Sequence, residues 1–258
     1  MNYKLLRKIY FQNLWQSYRK AYILYKISLC KLSGSDLRKR AEEYFKKYPL
    51  SDDKIGHSYA VAEFSEKIAQ RMKDSGVDVN VDEAWAGAIL HEIGLTAPDC
   101  PKTEAEESVR PYPEHAVIGA KDAQEAGFPT SVVAAIQNHG GHYNKAECEL
   151  LEMPLAVVGD TWTSDIIEAK VVAAADEVLF LRRHANPPLD PWKDNSVMLP
   201  FKFAEQKKLY KQRLNKDITE DDPTVKRVFK ECLELYGEML QYVKDEDVPA
   251  PWKGLAEV

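Results

Sequence analysis

The chain has 258 residues, 45% of them hydrophobic and 29% charged, and carries a net charge of −6. That balance supplies enough apolar material for one large core, and it excludes a disordered chain or a bundle of membrane helices. Four scattered cysteines, Cys30, Cys100, Cys148 and Cys232, form no CxxC pair, and the N-terminus lacks the apolar stretch and cleavage site of a secretory signal, so a reducing, cytoplasmic setting is expected.

Residues 1–31 carry seven bases and no acid, which leaves about −13 for the rest when seven is subtracted from −6. Tyr3, Tyr10, Phe11, Trp15, Tyr18, Tyr22 and Tyr25 alternate with those bases. The segment reads as a helix with its aromatic face on the domain; a weak membrane-surface contact, a transit peptide or a nucleic-acid arm shares the pattern. Ser33-Gly34-Ser35-Asp36 breaks it, and Ser35 or Asp36 can cap a helix through Arg38–Tyr48.

From Ser58 the apolar residues Ala60, Val61, Phe64, Ile68 and Met72 recur at three and four, which puts His57 at the head of an amphipathic helix ended by Gly76. Asn80 or Asp82 caps the next one. Its run Ala84–Leu90 is apolar almost all round, belongs at the centre of the domain and leads into His91-Glu92. The proline-rich stretch 96–113 reads as a long loop of the kind that serves as a lid. His115 opens a third helix closed by Gly127, and a fourth from Pro129 ends at His139 before Gly140-Gly141. Pro154 fits the first turn of a fifth, which would place Ala156, Val157 and Asp160 on or beside a buried face. After the proline-rich segment 184–202, helical patterning resumes, and Val228, Phe229, Cys232, Leu233, Tyr236 and Leu240 mark a closing helix from about Asp222 to Val243. The fold class is all-α.

Six groups suited to a metal appear in the order His57, His91, Glu92, His115, His139 and Asp160. Imidazole nitrogens and carboxylate oxygens are what zinc, manganese, iron and nickel accept, and such mixed sets leave positions open for water. A single buried histidine is more often a satisfied core residue. Here five of the chain's six histidines fall between residues 57 and 142, and four of them open or close amphipathic helices.

His57, then Leu90-His91-Glu92-Ile93-Gly94, then Asp160 resembles the HD-domain superfamily of metal-dependent phosphohydrolases, over roughly residues 50–170. The resemblance implies an HD-domain-like helical bundle, and the patterning outside it reads as N- and C-terminal helical extensions. The chain's parts would be a basic aromatic segment over 1–34, the metal-binding domain over 35–183 and an extension over 184–258 packed on the core. His115 and His139 are similar to the histidines that serve a second ion in the two-metal branch. One ion would then be held by His57, His91, Glu92 and Asp160, the other by Glu92, His115 and His139. Glu92 would bridge, and a hydroxide between the ions would attack a phosphoester or phosphoanhydride. Two residues depart from the pattern. The family's doublet is His-Asp, and Glu92 adds a methylene; Leu95 stands where several members carry a lysine, so that position offers no phosphate contact.

His142, beyond two glycines, is a candidate for an extra ligand, a proton donor to the leaving group or a phosphate contact. Lys102, Arg110 and Lys145 border the same stretch, and Tyr143 and Trp162 are close enough in sequence to line a pocket, with core packing their default role. A small phosphorylated molecule is the expected substrate and nucleic acid is not expected. Mixed-valent di-iron oxygenases that cleave C–C or C–P bonds share the six-ligand order; the 21 residues from His139 to Asp160, 160 minus 139, look more like the compact hydrolase arrangement. A helical scaffold or nucleic-acid binder using the basic arm is the alternative of another class.

Overall fold

Helix boundaries follow the caps more closely than the apolar periods. In the computed structural model, which describes residues 34–98, 100, 113–185 and 188–248, α1 (Gly34–Phe45) buries Leu37, Ala41 and Phe45, one residue per turn. The chain divides into two units, Met1–Ser33 and Gly34–Val258, and everything described belongs to the second. The helix expected over residues 1–31 and the 96–113 loop from 101 to 112, with Lys102 and Arg110, lie outside the described residues.

Helix α2 (Asp52–Asp74) begins where the Ser51 hydroxyl accepts the Lys54 N–H at 3.3 Å; Asp52 and Asp53 in its first turn and Arg71 and Lys73 in its last complement the helix dipole. His57 therefore sits in the second turn, not at the head. The apolar period starts late because the first turns of α2 face the site described below, whereas Val61, Phe64, Ile68 and Met72 face the core.

Helix α3 (Val81–Leu90) is capped by Asn80, whose Oδ1 accepts from the Asp82 and Glu83 N–H groups. Ala84, Ala86, Ala88, Ile89 and Leu90 are fully buried, and α3 packs against α1, α2, α5 (Thr130–Asn138) and α7 (Ile167–His184), so it forms the middle of the bundle. Burying a side chain such as Leu90 contributes about 1.5–3 kcal/mol. Between these elements run α4 (Glu114–Glu125) and a short α6 (Lys145–Leu150), which opens on an Asn144/Glu147 capping box.

The chain closes with α8 (Leu199–Leu214) and α9 (Pro223–Leu240). Cys232, Tyr236, Met239 and Leu240 of α9 join the same core cluster as α3 and α7. The Lys202 ammonium of α8 lies 2.6 Å from Glu177 Oε2 of α7, both almost completely buried. Among the described residues there is no strand, only one isolated antiparallel bridge between Asn144 and Thr161, and no helix is long and apolar enough to cross a membrane.

The fifth helix expected from Pro154 does not form. Residues 154–166 are irregular, and α7 begins only at Ile167. The cause is a side chain of α5. Gln137, fully buried, accepts from the Val157 and Val158 N–H groups at 2.6 and 3.0 Å and donates to the carbonyls of Val158, Thr161 and Trp162 at 3.0–3.1 Å. Asn138 adds bonds from the Ser164 N–H and to the Ala169 carbonyl. Backbone groups satisfied in this way need no helical partners.

Candidate metal centre

Two helices end in the same way. His91 is the C-cap of α3, and its Nδ1 donates to the Ala88 carbonyl at 2.6 Å; His139 is the C-cap of α5, and its Nδ1 donates to the Ile136 carbonyl at 2.5 Å. Each ring is fixed by a carbonyl of its own last turn, where the helix dipole favours a donor, and its Nε2 keeps a lone pair that points inward. The rings meet edge to face, with centroids 4.7 Å apart.

The remaining groups arrive from three other elements. His57 of α2 places Nε2 at 3.2 Å from His91 Nε2, and His115, in the first turn of α4, places Nε2 at 2.8 Å from His139 Nε2. Close approach of α4 depends on Gly94: a Cβ there would lie 2.0 Å from the His115 carbonyl oxygen and 2.7 Å from the Gly119 nitrogen. No larger residue fits the turn after Glu92 without moving α4.

Glu92 joins the two pairs of histidines. Its Oε1 lies 3.8 and 3.9 Å from the Nε2 atoms of His57 and His91, and its Oε2 lies 3.1 Å from His115 Nε2. The carboxylate thus turns one oxygen to each pair. The Lys54 ammonium is 2.5 Å from Oε1.

The sixth group is not Asp160. That residue is exposed, in the bend held by Gln137, and belongs to neither group of converging donors. Asp176 of α7 takes the place: its Oδ1 is 2.9 Å from His57 Nε2 and 3.8 Å from His91 Nε2. The signal for it was present in the sequence. Asp176-Glu177 interrupts the run Val171–Phe180, otherwise apolar, and a carboxylate inside a buried helix needs a partner.

His142 is buried, but its ring lies against α9, with Nδ1 3.6 Å from Glu231 Oε2 and the Tyr236 ring edge-on. Tyr143 and Trp162 stack edge to face inside a second apolar cluster, so they pack the core rather than line a pocket. Lys145 is exposed and lies 4.0 Å from Glu149.

Burial, with the neighbouring charges of His57 at His91 and of His91 and His115 at His139, holds the imidazoles of His91 and His139 below their ordinary value, that of His139 well below. Burial alone would raise the carboxyl groups. Lys54, His115 and His91 nevertheless hold Glu92 well below the usual carboxylate range, and His57, His91 and His139 do the same for Asp176. Neutral imidazoles and ionised carboxylates are the ligand forms of these side chains. Two subsets, His57, His91 and Asp176, and His91, Glu92 and His139, each bring one ligand atom per residue within 4.8 Å of the others. Lone pairs converging at such distances repel unless a cation or proton lies between them, so the donor set fits divalent metal ions.

An uncharacterized protein of Methanocaldococcus jannaschii is 28% identical over 131 residues, 50% of this chain and 68% of the relative. Among solved structures, the L. monocytogenes phosphodiesterase PgpH HD domain aligns with 16% identity over 77% of this chain and 95% of its own, at a TM-score of 0.40. The same domain in complex with cyclic-di-AMP gives 18% identity over 79% and 98%, also at 0.40. Residues 55–181 match the HD domain family, and all six convergent groups fall inside that range. The part of the helical bundle that carries His57, His91, Glu92, His115, His139 and Asp176 therefore matches the HD domain family.

Proposed function

We propose that the protein is a metal-dependent hydrolase of a phosphoester or phosphoanhydride in a small, nucleotide-like or otherwise phosphorylated substrate. The observation that carries this reading is the division of Glu92 between two groups of donors, Oε1 toward His57 and His91 and Oε2 toward His115. His57, His91, Asp176 and Glu92 would hold one divalent ion, and Glu92, His115 and His139 a second. When bound, such ions supply a water acidified toward neutrality and positive charge for phosphoryl oxygens. The protein's own part is to hold the imidazoles of His91 and His139 below their ordinary value by burial, fix those two rings on helix carbonyls and span both groups with one carboxylate. The extra methylene of Glu92 relative to the family's aspartate lengthens that span. His142, on the face toward α9, stays outside this scheme.

The spacing that set the hydrolase above the di-iron oxygenase rested on Asp160. With Asp176 the separation from His139 is 37 residues, 176 minus 139, and that argument loses its force. What supports the hydrolase is the HD domain together with the Lys54 ammonium, a cation that suits an anionic substrate. Elemental analysis of the purified protein, with a visible spectrum, oxygen uptake and turnover of an aryl phosphate diester and monoester on the same sample, tests it. Zinc, manganese, nickel or colourless iron with phosphoester turnover is the expected result. About two equivalents of iron with an oxygen-sensitive spectrum and oxygen uptake overturns it.

A further inference from the structure

A phosphoester hydrolase gains from a cation beyond its metal ions, because a charge-assisted hydrogen bond orients a non-bridging phosphoryl oxygen and stabilises the charge that grows on it. Position 95, a leucine, provides none. Lys54 does. It lies three residues before His57, almost one turn earlier on α2, and its Nζ is 2.5 Å from Glu92 Oε1, the oxygen turned toward His57 and His91. Its side chain is 30% exposed whereas that of Glu92 is 5% exposed, so the lysine runs from solvent to the edge of the buried groups. The backbone under it is anchored twice. Ser51 caps the turn through the Lys54 N–H, and the neighbouring Asp53 pairs with Arg183 at 2.6 and 3.2 Å, at the end of the helix that carries Asp176.

An ammonium has three N–H donors, and one directed at Glu92 leaves two for a ligand. We propose that Lys54 meets a non-bridging oxygen of the substrate's phosphoryl group, doing from α2 what position 95 does not do here. The inference rests on the hydrolase reading above and adds a residue to it.

The test compares the full-length, manganese-loaded protein with its Lys54→Met and Lys54→Arg variants by metal content, calorimetric titration with inorganic phosphate, and steady-state hydrolysis of an aryl phosphate. Lys54→Met is expected to keep its metal and lose about tenfold or more in phosphate affinity, with a matching rise in KM, while Lys54→Arg stays within a few-fold of the parent. Unchanged phosphate affinity in a Lys54→Met protein of normal metal content overturns the proposal and leaves the hydrolase reading standing. Loss of metal in that variant also overturns it, since Lys54 would then serve the metal groups instead. A parent protein that carries metal yet neither binds phosphate nor turns over the ester removes both.

Discussion

The two halves of the centre are built differently. His57, His91 and Asp176 come from α2, α3 and α7, three helices that all pack on one another through the core, and this half owns a carboxylate. His115 and His139 come from α4 and α5, and this half borrows its negative charge from Glu92 across the centre. A half with its own anion retains a cation when the shared group is disturbed. A half that borrows does not.

The largest effect expected from this contrast is at Asp176. Asp176→Ala should remove the ion of the first half and lower turnover by more than about 100-fold, beyond the loss usual for groups that stand behind ligands, while Asp160→Ala leaves metal content and turnover as they were. Elemental analysis and phosphoester kinetics on the two variants decide it, and the opposite pattern would restore Asp160. Next in size is His115→Ala, expected to cost one equivalent of metal and at least about tenfold in turnover while the first half stays loaded. Loss of both equivalents would show that the halves are not separable.

Much of this arrangement was legible in the sequence, and the gaps have physical causes. The apolar period from Ser58, the cap at Asn80, the apolar run before His91 and the stops at Gly127 and Gly140-Gly141 gave the helices that carry, or lead into, five of the six groups, because each is a local signal. Asp160 misled because three-and-four spacing after Pro154 imitates a helix. What cancels that helix is Gln137, a residue of α5 whose amide meets the backbone of 157–162, and such a side-chain partner leaves no trace in the periodicity of the segment it holds. Asp176 was missed for the converse reason. The informative fact was an acid pair within a buried apolar run, and no ligand spacing singles that pair out.

Glu92→Asp sharpens the contrast at smaller cost. Shortening the side chain draws the carboxylate back by about 1.5 Å, one carbon–carbon bond, so it no longer spans both halves from the present backbone. The second half should weaken first. Metal titration is expected to show one site with affinity close to that of the parent and one weaker by about tenfold. Two unchanged sites would mean that the turn held against α4 at Gly94 shifts to accommodate aspartate.

The smallest expected effect is on the acid stability of the metal-free protein, and its sign follows from the direction of each shift. His91 and His139, chiefly through burial, and His142 for the same reason, are held below their ordinary value of 6.5, so the unfolded chain takes up protons that the folded one refuses. Stability is therefore full above pH 6.5 and declines as the pH falls below it. Glu92 and Asp176, held below 4.5 and 3.8 by their cationic neighbours, extend the decline through those values. Two windows with the same sign result, the upper from imidazoles and the lower from carboxylates. The melting temperature of chelator-stripped protein should begin to drop near pH 6.5, ahead of the carboxylate range, and His139→Gln should flatten the upper window while leaving the lower one in place. A melting temperature that holds steady from pH 7 to 5 would mean that the imidazoles take up protons in the folded state, and the inward lone pairs on which both halves depend would be lost.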